Sequence, residues 1–265
     1  MHTPNLINNI IQADIEQALK DIPNNVFDLI ITSPPYFNRR DDCYNVKETE
    51  QDYIDWLYNV SSLLMTKLKP TGSLIVNVKD GVKNKRRMLY SFEYVLKMRQ
   101  FYNETFIWHK TNPFPTGNKK RLKDGFEYCY HFVRSDNYKF FPNNILVPAN
   151  EKWLKDNLKR KNKGEHNVTN NSGLNMSKRT TNEMVRPSNV VSMPCSSLNL
   201  AHPAVFPLDL PKHFIKLMTE EGDLVFDPFM GSGTTALAAR DLNRNYCGVE
   251  QQESYIPIIN SRLAK

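Results

Sequence analysis

The stretch Phe27-Asp28-Leu29-Ile30-Ile31-Thr32-Ser33-Pro34-Pro35-Tyr36 decides the predicted fold. Its apolar run, 27–31, is typical of a strand buried in a parallel sheet, so the tetrad 33–36 is expected at the carboxyl end of that strand. Open α/β sheets place their chemistry at this edge. The two prolines fix φ and remove two backbone donors, which leaves carbonyl acceptors, a hydroxyl and an aromatic face in a rigid turn. Taken alone, the tetrad is read more simply as a proline-stiffened loop.

Strands and helices are predicted to alternate on both sides of this tetrad. The predicted helices are 15–19, 52–68, 88–98 and 208–218, and the further predicted strands are 73–78, 104–108, 126–133, 138–141, 223–226 and 246–249. The strand at 138–141 is read as the second arm of a hairpin with 126–133. This order predicts an α/β fold with a doubly wound, mostly parallel sheet.

The composition is that of a globular protein. A chain of 265 residues fits one large α/β domain with an insertion, and no apolar run is long enough for a membrane span. Four scattered cysteines without CxxC spacing, and an N-terminus that lacks the pattern of a secretory signal, favour a reducing compartment. We therefore expect a cytoplasmic protein. No histidine or cysteine spacing predicts a metal site.

Basic residues are bunched along the chain, whose formal net charge is +7. Three clusters lie at 83–87, 119–123 and 152–163. Any one of them is read more simply as a solvated face, but three together favour a polyanion as partner. Between 150 and 187, Lys, Asn and Thr dominate and apolar periodicity fades, which predicts either a disordered insertion or an irregular subdomain that orders on its ligand.

A second motif, Asp227-Pro228-Phe229-Met230-Gly231-Ser232-Gly233-Thr234-Thr235, follows a predicted strand and precedes a predicted helix. Such a turn brings backbone N–H groups and a helix N-terminus toward a ligand. The motif lacks the third glycine of the dinucleotide fingerprint and the Gly-Lys-Ser/Thr of a phosphate loop, so NAD and ATP fit poorly. Glu250 ends the next strand, where a carboxylate can accept both hydroxyls of a ribose. The two features predict a nucleoside ligand without a polyphosphate.

These two motifs resemble the cofactor loop and the catalytic tetrad of DNA amino-methyltransferases that use S-adenosylmethionine. The tetrad precedes the cofactor loop, with a basic insertion between them, which is similar to the permuted order of the β group. Further matches are Trp108, Lys110, Asn112, Pro113 and Pro115 in the pattern WxKxNPxP, and the stretch His202 to Pro207. The matches span most of the chain outside the insertion and are jointly specific.

The resemblance implies a Rossmann-like methyltransferase domain in two halves. The catalytic half is 1–149 and the cofactor-binding half is 188–265. Between them, 150–187 is expected to be a target-recognition insertion.

The resemblance also implies residue roles. The catalytic tetrad is Ser33, Pro34, Pro35 and Tyr36. The cofactor-binding set is Asp14, Pro203, Phe206, Pro207, Asp227, Phe229, Gly231, Ser232, Gly233, Thr234, Thr235 and Glu250. Within it, Glu250 would hold the ribose, Asp14 would approach the adenine amino group and Asp227 would line the methionine part. The residues expected to contact DNA are Arg39, Arg40, Lys110, Lys119, Lys120, Arg121, Lys123, Arg160, Lys161 and Lys163.

The implied reaction is direct methyl transfer to an exocyclic amine of a flipped base. A serine in the first position of the tetrad favours N4 of cytosine, while adenine N6 is the alternative. A rival from another class is a catalytically inactive DNA-binding protein that kept the fold. The pair Pro194-Cys195 resembles the nucleophile of cytosine C5 enzymes, but nothing nearby specifies an activating environment, so Cys195 is interpreted as a structural thiol.

The expected partner is double-stranded DNA at a specific short site. The resemblance implies a bacterial modification enzyme of a restriction-modification system, and such enzymes are often paired with a restriction endonuclease. A membrane partner is not expected. Both a monomer and a homodimer remain open at this point.

Overall fold

The structure, a computed structural model, describes residues 5–37, 49–116, 119–162, 183–195 and 206–264. The chain divides into two compact units. The larger unit comprises Met1–Phe141 and Asn189–Lys265, and the smaller unit comprises Pro142–Ser188. Within the described ranges, every helix is too short or too polar to cross a bilayer.

The strands, in chain order, are β1 (Asn9–Gln12), β2 (Phe27–Thr32), β3 (Leu68–Val78), β4 (Val82–Lys83), β5 (Arg86–Arg87), β6 (Tyr102–Lys110), β7 (Phe126–Val133), β8 (Val147–Pro148), β9 (Met184–Val185), β10 (Val190–Met193), β11 (Leu224–Asp227) and β12 (Asn245–Glu250). The helices are α1 (Ile15–Asp21), α2 (Glu50–Lys67), α3 (Tyr90–Lys97), α4 (Glu151–Asn162), α5 (Asp209–Met218), α6 (Thr234–Asp241) and α7 (Ile256–Leu263).

The larger unit is built around a sheet with the strand order β1-β12-β11-β2-β3-β7-β6-β10. Its strands pair in parallel except for β7, which runs antiparallel to both β3 and β6. β4 and β5 form a separate antiparallel pair. This arrangement confirms the predicted α/β fold with a mostly parallel sheet.

The centre of the sheet carries the core. All six residues of β2 are buried, as expected for a parallel strand that is covered on both faces. At its amino end, Phe27 stacks on Phe226 of β11, with ring centroids 4.3 Å apart and an interplanar angle of 4°. The pairing holds two strands together that lie far apart in the sequence.

The crossovers leave the sheet in opposite directions from its two central strands. After β11 the chain passes through α6 to β12, whereas after β2 it passes through α2 to β3 on the other side. The carboxyl ends of β11 and β2 therefore flank a topological switch point, the place where open α/β sheets bind their ligands. The two motifs found in the sequence, at 33–36 and 227–235, begin at these two ends.

Two segments differ from the sequence prediction. Tyr138 to Phe141 is not a strand: Lys139 N donates to Thr71 O and Phe141 N donates to Leu217 O, so this segment bonds to other parts of the chain instead of forming a hairpin with β7. In addition, β3 begins at Leu68, so residues 69–72, which were predicted to separate the helix 52–68 from the strand 73–78, lie within that strand.

The smaller unit contains a 3₁₀ turn at Pro142–Ile145, the antiparallel pair of β8 and β9, and α4. α4 was not predicted from the sequence, because its apolar positions are few and lysine is its commonest residue. Residues 163–182, which belong to the insertion predicted at 150–187, lie outside the described residues.

Replacing Phe27 by Ala should destabilise the larger unit strongly, since it removes a fully buried ring from a stacked pair. We expect the free energy of unfolding to fall by about 3–5 kcal/mol. Urea unfolding followed by circular dichroism measures it. The matched control is Phe114→Ala, at a ring that is 71% exposed, where a change within about 0.5 kcal/mol is expected. Equal losses in the two variants would contradict the assignment of Phe27 to the core.

Candidate active site

The glycine loop between β11 and α6 has two glycines in a left-handed backbone conformation, which favours glycine. Gly231 has φ +54° and Gly233 has φ +83°, both in the left-handed region. A Cβ on Gly233 would also lie 3.0 Å from the Ile259 side chain of α7. The loop therefore turns tightly and delivers the N-terminus of α6 to the carboxyl edge of the sheet.

Asp227 joins this loop to the tetrad. Its buried carboxylate accepts hydrogen bonds from Thr32 Oγ1 (2.7 Å), Thr235 Oγ1 (2.5 Å) and Phe229 N (3.0 Å). Burial raises the pKa of Asp227 to about 6, because the neutral hydroxyl and amide donors offset only part of the desolvation. Thr32 immediately precedes Ser33, so the Asp227 carboxylate links the start of the tetrad to the glycine loop.

Glu250, the last residue of β12, lies beside the same loop. Its Oε2 accepts from Gly231 N at 2.7 Å and its Oε1 accepts from Gln252 N at 2.8 Å. Burial raises the pKa of this carboxyl group as well. A carboxylate oxygen can accept more than one hydrogen bond, so both oxygens retain lone pairs for a ligand. These acceptors fit the two hydroxyls of a ribose.

Asp14 lies near the same edge. Gln12 is in register with Glu250, and Ala13 N donates to Glu250 O at 3.2 Å. The Asp14 carboxylate caps α1, accepting from Glu16 N at 2.8 Å. Capping uses one oxygen of the Asp14 carboxylate and leaves the other for a ligand. Contact of Asp14 with an adenine amino group stays a prediction.

Arg262 of α7 braces the glycine loop, and sequence reasoning missed it. One guanidinium nitrogen donates to the Ser232 carbonyl (2.5 Å), Ser232 Oγ (2.9 Å) and Thr234 Oγ1 (3.1 Å). Among the other predicted cofactor residues, Thr235 and Pro207 are buried, Phe206 and Phe229 are half-buried, and Pro203 lies outside the described residues.

The tetrad itself forms a compact hydrogen-bonded turn after β2. Ser33 Oγ donates to Tyr36 Oη at 3.2 Å, and Tyr36 Oη donates to Glu127 Oε2 at 2.8 Å. Pro34 is buried, whereas Ser33, Pro35 and Tyr36 are half-buried. Burial and the neighbouring Glu127 carboxylate raise the pKa of the Tyr36 phenol well above its ordinary value, so Tyr36 stays neutral and acts as a donor.

Lys110 corrects one of the DNA-contact predictions. Its ammonium is buried, lies 2.5 Å from Glu127 Oε1 and sits over the Trp108 ring at 4.8 Å from the centroid. A buried, paired ammonium does not present its charge to a phosphate, so Lys110 belongs to the surroundings of the tetrad. Glu127 was missed by sequence reasoning. The only signal was a carboxylate within the apolar run of β7.

Trp108 and Asn112 of the WxKxNPxP pattern make contacts to the backbone of the segment 193–195. Trp108 Nε1 donates to Met193 O at 3.2 Å, and the Asn112 side chain accepts from Cys195 N at 2.6 Å. Cys195 is a free, buried cysteine. In the described part of the chain, no group of three or more His, Cys, Asp or Glu side chains is arranged to hold a metal ion.

The other predicted DNA contacts are distributed as follows. Lys119, Lys120 and Lys123 are exposed, and Arg121 is half-buried. Arg160 and Lys161 belong to α4. Arg39, Arg40 and Lys163 lie outside the described residues. The β4–β5 pair and its turn add a further exposed basic cluster, made of Lys83, Lys85, Arg86 and Arg87.

Comparison with known proteins defines the class to which this fold and site belong. The DNA methylase family matches residues 27–261, and the chain belongs to that family. It is 30% identical over 259 residues to the orphan methyltransferase M.BamHII of Bacillus amyloliquefaciens, covering 92% of this chain and 91% of that protein. It is 29% identical over 270 residues to the Type II methyltransferase M.PvuII of Proteus hauseri, covering 92% and 80%.

A solved structure agrees with this assignment. The cytosine-N4-specific PvuII DNA methyltransferase matches with a TM-score of 0.74 and 25% identity, over 96% of this chain and 85% of that one. The fold is also that of the M1.HpyAVI–SAM complex, with a TM-score of 0.58 and 22% identity, over 97% of this chain and 99% of that one. Methyltransferases of the DNA methylase family use S-adenosylmethionine. The two buried carboxylates and the glycine loop fit such a ligand, which carries both a cationic sulfonium and a ribose.

Asp227→Asn should change how stability depends on pH. The pKa of Asp227 is raised from 3.8 to about 6, so the folded state holds this proton more tightly than the unfolded state does. The stabilisation from that proton is complete at low pH and is lost as the pH rises from about 4 to about 6. Relative to Asp227→Asn, the wild type should therefore lose roughly 1–3 kcal/mol of unfolding free energy between about pH 4 and pH 7.

Urea unfolding of both proteins at the two pH values measures this difference. A wild type that instead gains stability relative to Asp227→Asn as the pH rises would show that the folded protein favours the charged carboxylate.

Proposed function

We propose that this DNA methyltransferase transfers the methyl group of S-adenosylmethionine directly to an exocyclic amine of a flipped base, N4 of cytosine, at a specific site. The observation that carries the proposal is the junction of the two motifs. Ser33 follows Thr32, and Thr32 bonds to Asp227 of the glycine loop at 2.7 Å. The tetrad and the loop thus begin side by side at the switch point of the sheet.

S-adenosylmethionine supplies an electrophilic methyl group on a positively charged sulfur. The Glu250 carboxylate would accept from its ribose hydroxyls, and Asp14 would approach its adenine amino group. The methionine side would be lined by the glycine loop and by the segment before α5. The residues so assigned are Phe206, Pro207, Asp227, Phe229, Gly231, Ser232, Gly233, Thr234 and Thr235. Pro203 completes this proposed set from outside the described residues.

An exocyclic base amine is a poor nucleophile, because its lone pair is delocalised into the ring. If the Ser33 hydroxyl and the Pro34 carbonyl accept the two amine hydrogens, the nitrogen can pyramidalise and direct its lone pair at the methyl group. Such fixed acceptors stabilise the charge that develops on nitrogen, and the rigid Pro-Pro turn supplies the orientation. The amine is inaccessible in a duplex, so the base must be flipped out, and the half-buried Tyr36 ring offers a stacking surface.

Two observations favour cytosine. A serine occupies the first position of the tetrad, and the solved methyltransferase that matches over 96% of this chain is cytosine-N4-specific. Adenine N6 remains the alternative that product analysis decides. A catalytically inactive DNA-binding protein is less well supported, because both motifs are complete.

Recognition of DNA is assigned to the basic segments. Exposed lysines of the loop 119–123 would contact phosphates and position the duplex, whereas the basic insertion at 150–187 would read the target. Relatives such as M.PvuII are Type II methyltransferases, which supports a modification role in a bacterial cytoplasm. The relative M.BamHII is named an orphan, so membership of the family does not by itself require a paired restriction endonuclease.

The product of the reaction tests the proposal. DNA from cells that express the wild type, digested to nucleosides and analysed by mass spectrometry, should contain N4-methylcytosine. N6-methyladenine would keep the mechanism and correct the base. No modified base would favour the inactive DNA-binding protein.

Ser33→Ala should remove a hydrogen-bond acceptor from the reacting amine while leaving both binding sites in place. We expect turnover to fall by about 10²-fold or more, as when one oriented group is removed from an electrostatic site. Affinities for S-adenosylmethionine, by calorimetry, and for DNA, by fluorescence anisotropy, should be unchanged. Unchanged turnover would reject the role of Ser33.

Lys119→Ala combined with Lys123→Ala should weaken DNA binding uniformly across sequences. If each lysine neutralises one phosphate, the slope of log affinity against log salt should fall in magnitude by about 2. The matched control is Lys20→Ala combined with Lys97→Ala. These exposed lysines lie in the last turns of α1 and α3, helices that begin near the carboxyl edge of the sheet and run away from it. Equal slopes in the two double variants would remove the loop 119–123 from the DNA interface.

A further inference from the structure

Four side chains, two of the tetrad and two beside it, form one continuous hydrogen-bonded chain. Ser33 Oγ lies 3.2 Å from Tyr36 Oη, which lies 2.8 Å from Glu127 Oε2. Glu127 is in turn 2.5 Å from the Lys110 ammonium, and both of these charged residues are buried. Neither Glu127 nor Lys110 has a part in the reaction proposed above, and a buried charged pair adds little to stability on its own account.

The chemistry of the end groups determines the direction of this chain. An ionised carboxylate only accepts hydrogen bonds, and an ammonium only donates them. Glu127 forms an ion pair with Lys110, and a carboxylate has no hydrogen to donate, so the Tyr36 hydrogen must point to Glu127. The Tyr36 oxygen is then left as an acceptor, and the Ser33 hydrogen points to it.

A second contact supports the same direction. Tyr36 Oη also lies 3.3 Å from the side-chain oxygen of Asn77. The Asn77 amide nitrogen donates to Tyr128 O at 3.1 Å, which fixes the orientation of the amide. Tyr36 therefore faces two acceptors, a carboxylate and an amide oxygen, and neither can donate a hydrogen to it. Its oxygen is free to accept only from the side of Ser33.

We propose that Glu127 is a positioning residue that acts through Tyr36 to make Ser33 an obligate acceptor for the substrate amine. The inference rests on the proposed function, in which the Ser33 hydroxyl accepts an amine hydrogen. With its own hydrogen committed to Tyr36, Ser33 Oγ presents lone pairs to the base. A serine that rotated freely would also point its hydrogen at the amine. The hydroxyl hydrogen and an amine hydrogen would then face each other as two donors.

The variant Glu127→Gln reverses this chain. Because Lys110 can only donate, the glutamine carbonyl turns toward Lys110 and its amide nitrogen faces Tyr36. Tyr36 then accepts from the glutamine and can donate to Ser33 Oγ, which at 3.2 Å is nearer than the Asn77 side-chain oxygen at 3.3 Å, so the Ser33 hydrogen is released toward the substrate. In Tyr36→Phe the ring remains for stacking, but the hydroxyl that transmits the orientation is gone. The Ser33 hydrogen then has no fixed direction, whereas in Glu127→Gln it points at the substrate amine.

The experiment compares single-turnover methyl transfer to DNA in four proteins: the wild type, Tyr36→Phe, Glu127→Gln and the double variant. We expect a loss of about 10-fold in Tyr36→Phe and about 10²-fold in Glu127→Gln. The double variant should match Tyr36→Phe, because without the hydroxyl the residue at position 127 has no route to Ser33. Removing the Tyr36 hydroxyl thus partly restores the rate that Glu127→Gln has lost. A merely structural role of Glu127 would not produce this restoration. Affinities for S-adenosylmethionine and DNA should stay unchanged.

Two controls match the chemistry of these changes elsewhere in the fold. Tyr94→Phe removes a buried hydroxyl that bonds Ser61 Oγ at 2.8 Å, and Asp28→Asn neutralises a buried carboxylate paired with Lys69 at 2.7 Å. Both should keep the wild-type rate of transfer, whatever they do to stability.

The possible outcomes separate this inference from the proposed function. A wild type that methylates no base rejects the proposed function. A wild type that is active, with Glu127→Gln equally fast or with losses that add in the double variant, rejects only the role of Glu127. If Glu127→Gln does not fold, Tyr36→Phe decides alone, since a rate equal to that of the wild type would exclude transmission through its hydroxyl.

Discussion

The buried carboxylate of Asp227 is the interaction on which the arrangement of the site depends. Its hydrogen bonds to Thr32 and Thr235 connect the end of β2 to the start of α6. Desolvation of this group costs free energy, as its raised pKa shows. The fold accepts that cost at the one place where the tetrad and the glycine loop meet, and a cationic ligand bound beside the carboxylate would offset it.

The pKa of the buried Asp28 carboxyl group is shifted in the opposite direction from those of Asp227 and Glu250. Near the amino edge, burial alone would raise the pKa of Asp28, but hydrogen bonds and charge from Lys69 and Lys139 lower it below its ordinary value. At the carboxyl edge, Asp227 and Glu250 accept only from neutral hydroxyl and amide groups, and their pKa values are raised. Asp28 is thus compensated by cations, whereas Asp227 and Glu250 are not, and buried carboxylates with raised pKa values are typical of sites that take a ligand.

Glu127, which lies beside the proposed catalytic tetrad, is a third kind of buried carboxylate. Its charge is compensated by Lys110, yet its second oxygen is turned to Tyr36 rather than to solvent. A cation on one side and a phenol on the other give the carboxylate a fixed role as acceptor. The antiparallel strand β7 therefore contributes to the proposed active site as well as to the sheet, because it carries Glu127 to the tetrad at the end of β2.

The sequence by itself determined the fold class, most of the strands and helices, and both motifs of the site. These features follow from local rules: apolar periodicity predicts strands and helices, prolines stiffen the tetrad, and glycines between a predicted strand and a predicted helix indicate a tight turn. Local rules failed where the pattern was weak, in α4 and at 138–141. Only the tertiary structure decided which distant side chains form hydrogen bonds with each other. Thr32 and Asp227 are 195 residues apart, and Tyr36 and Glu127 are 91 apart. No local pattern encodes which distant side chains share a buried space, so only the fold could show that Lys110 pairs with Glu127 instead of facing a phosphate.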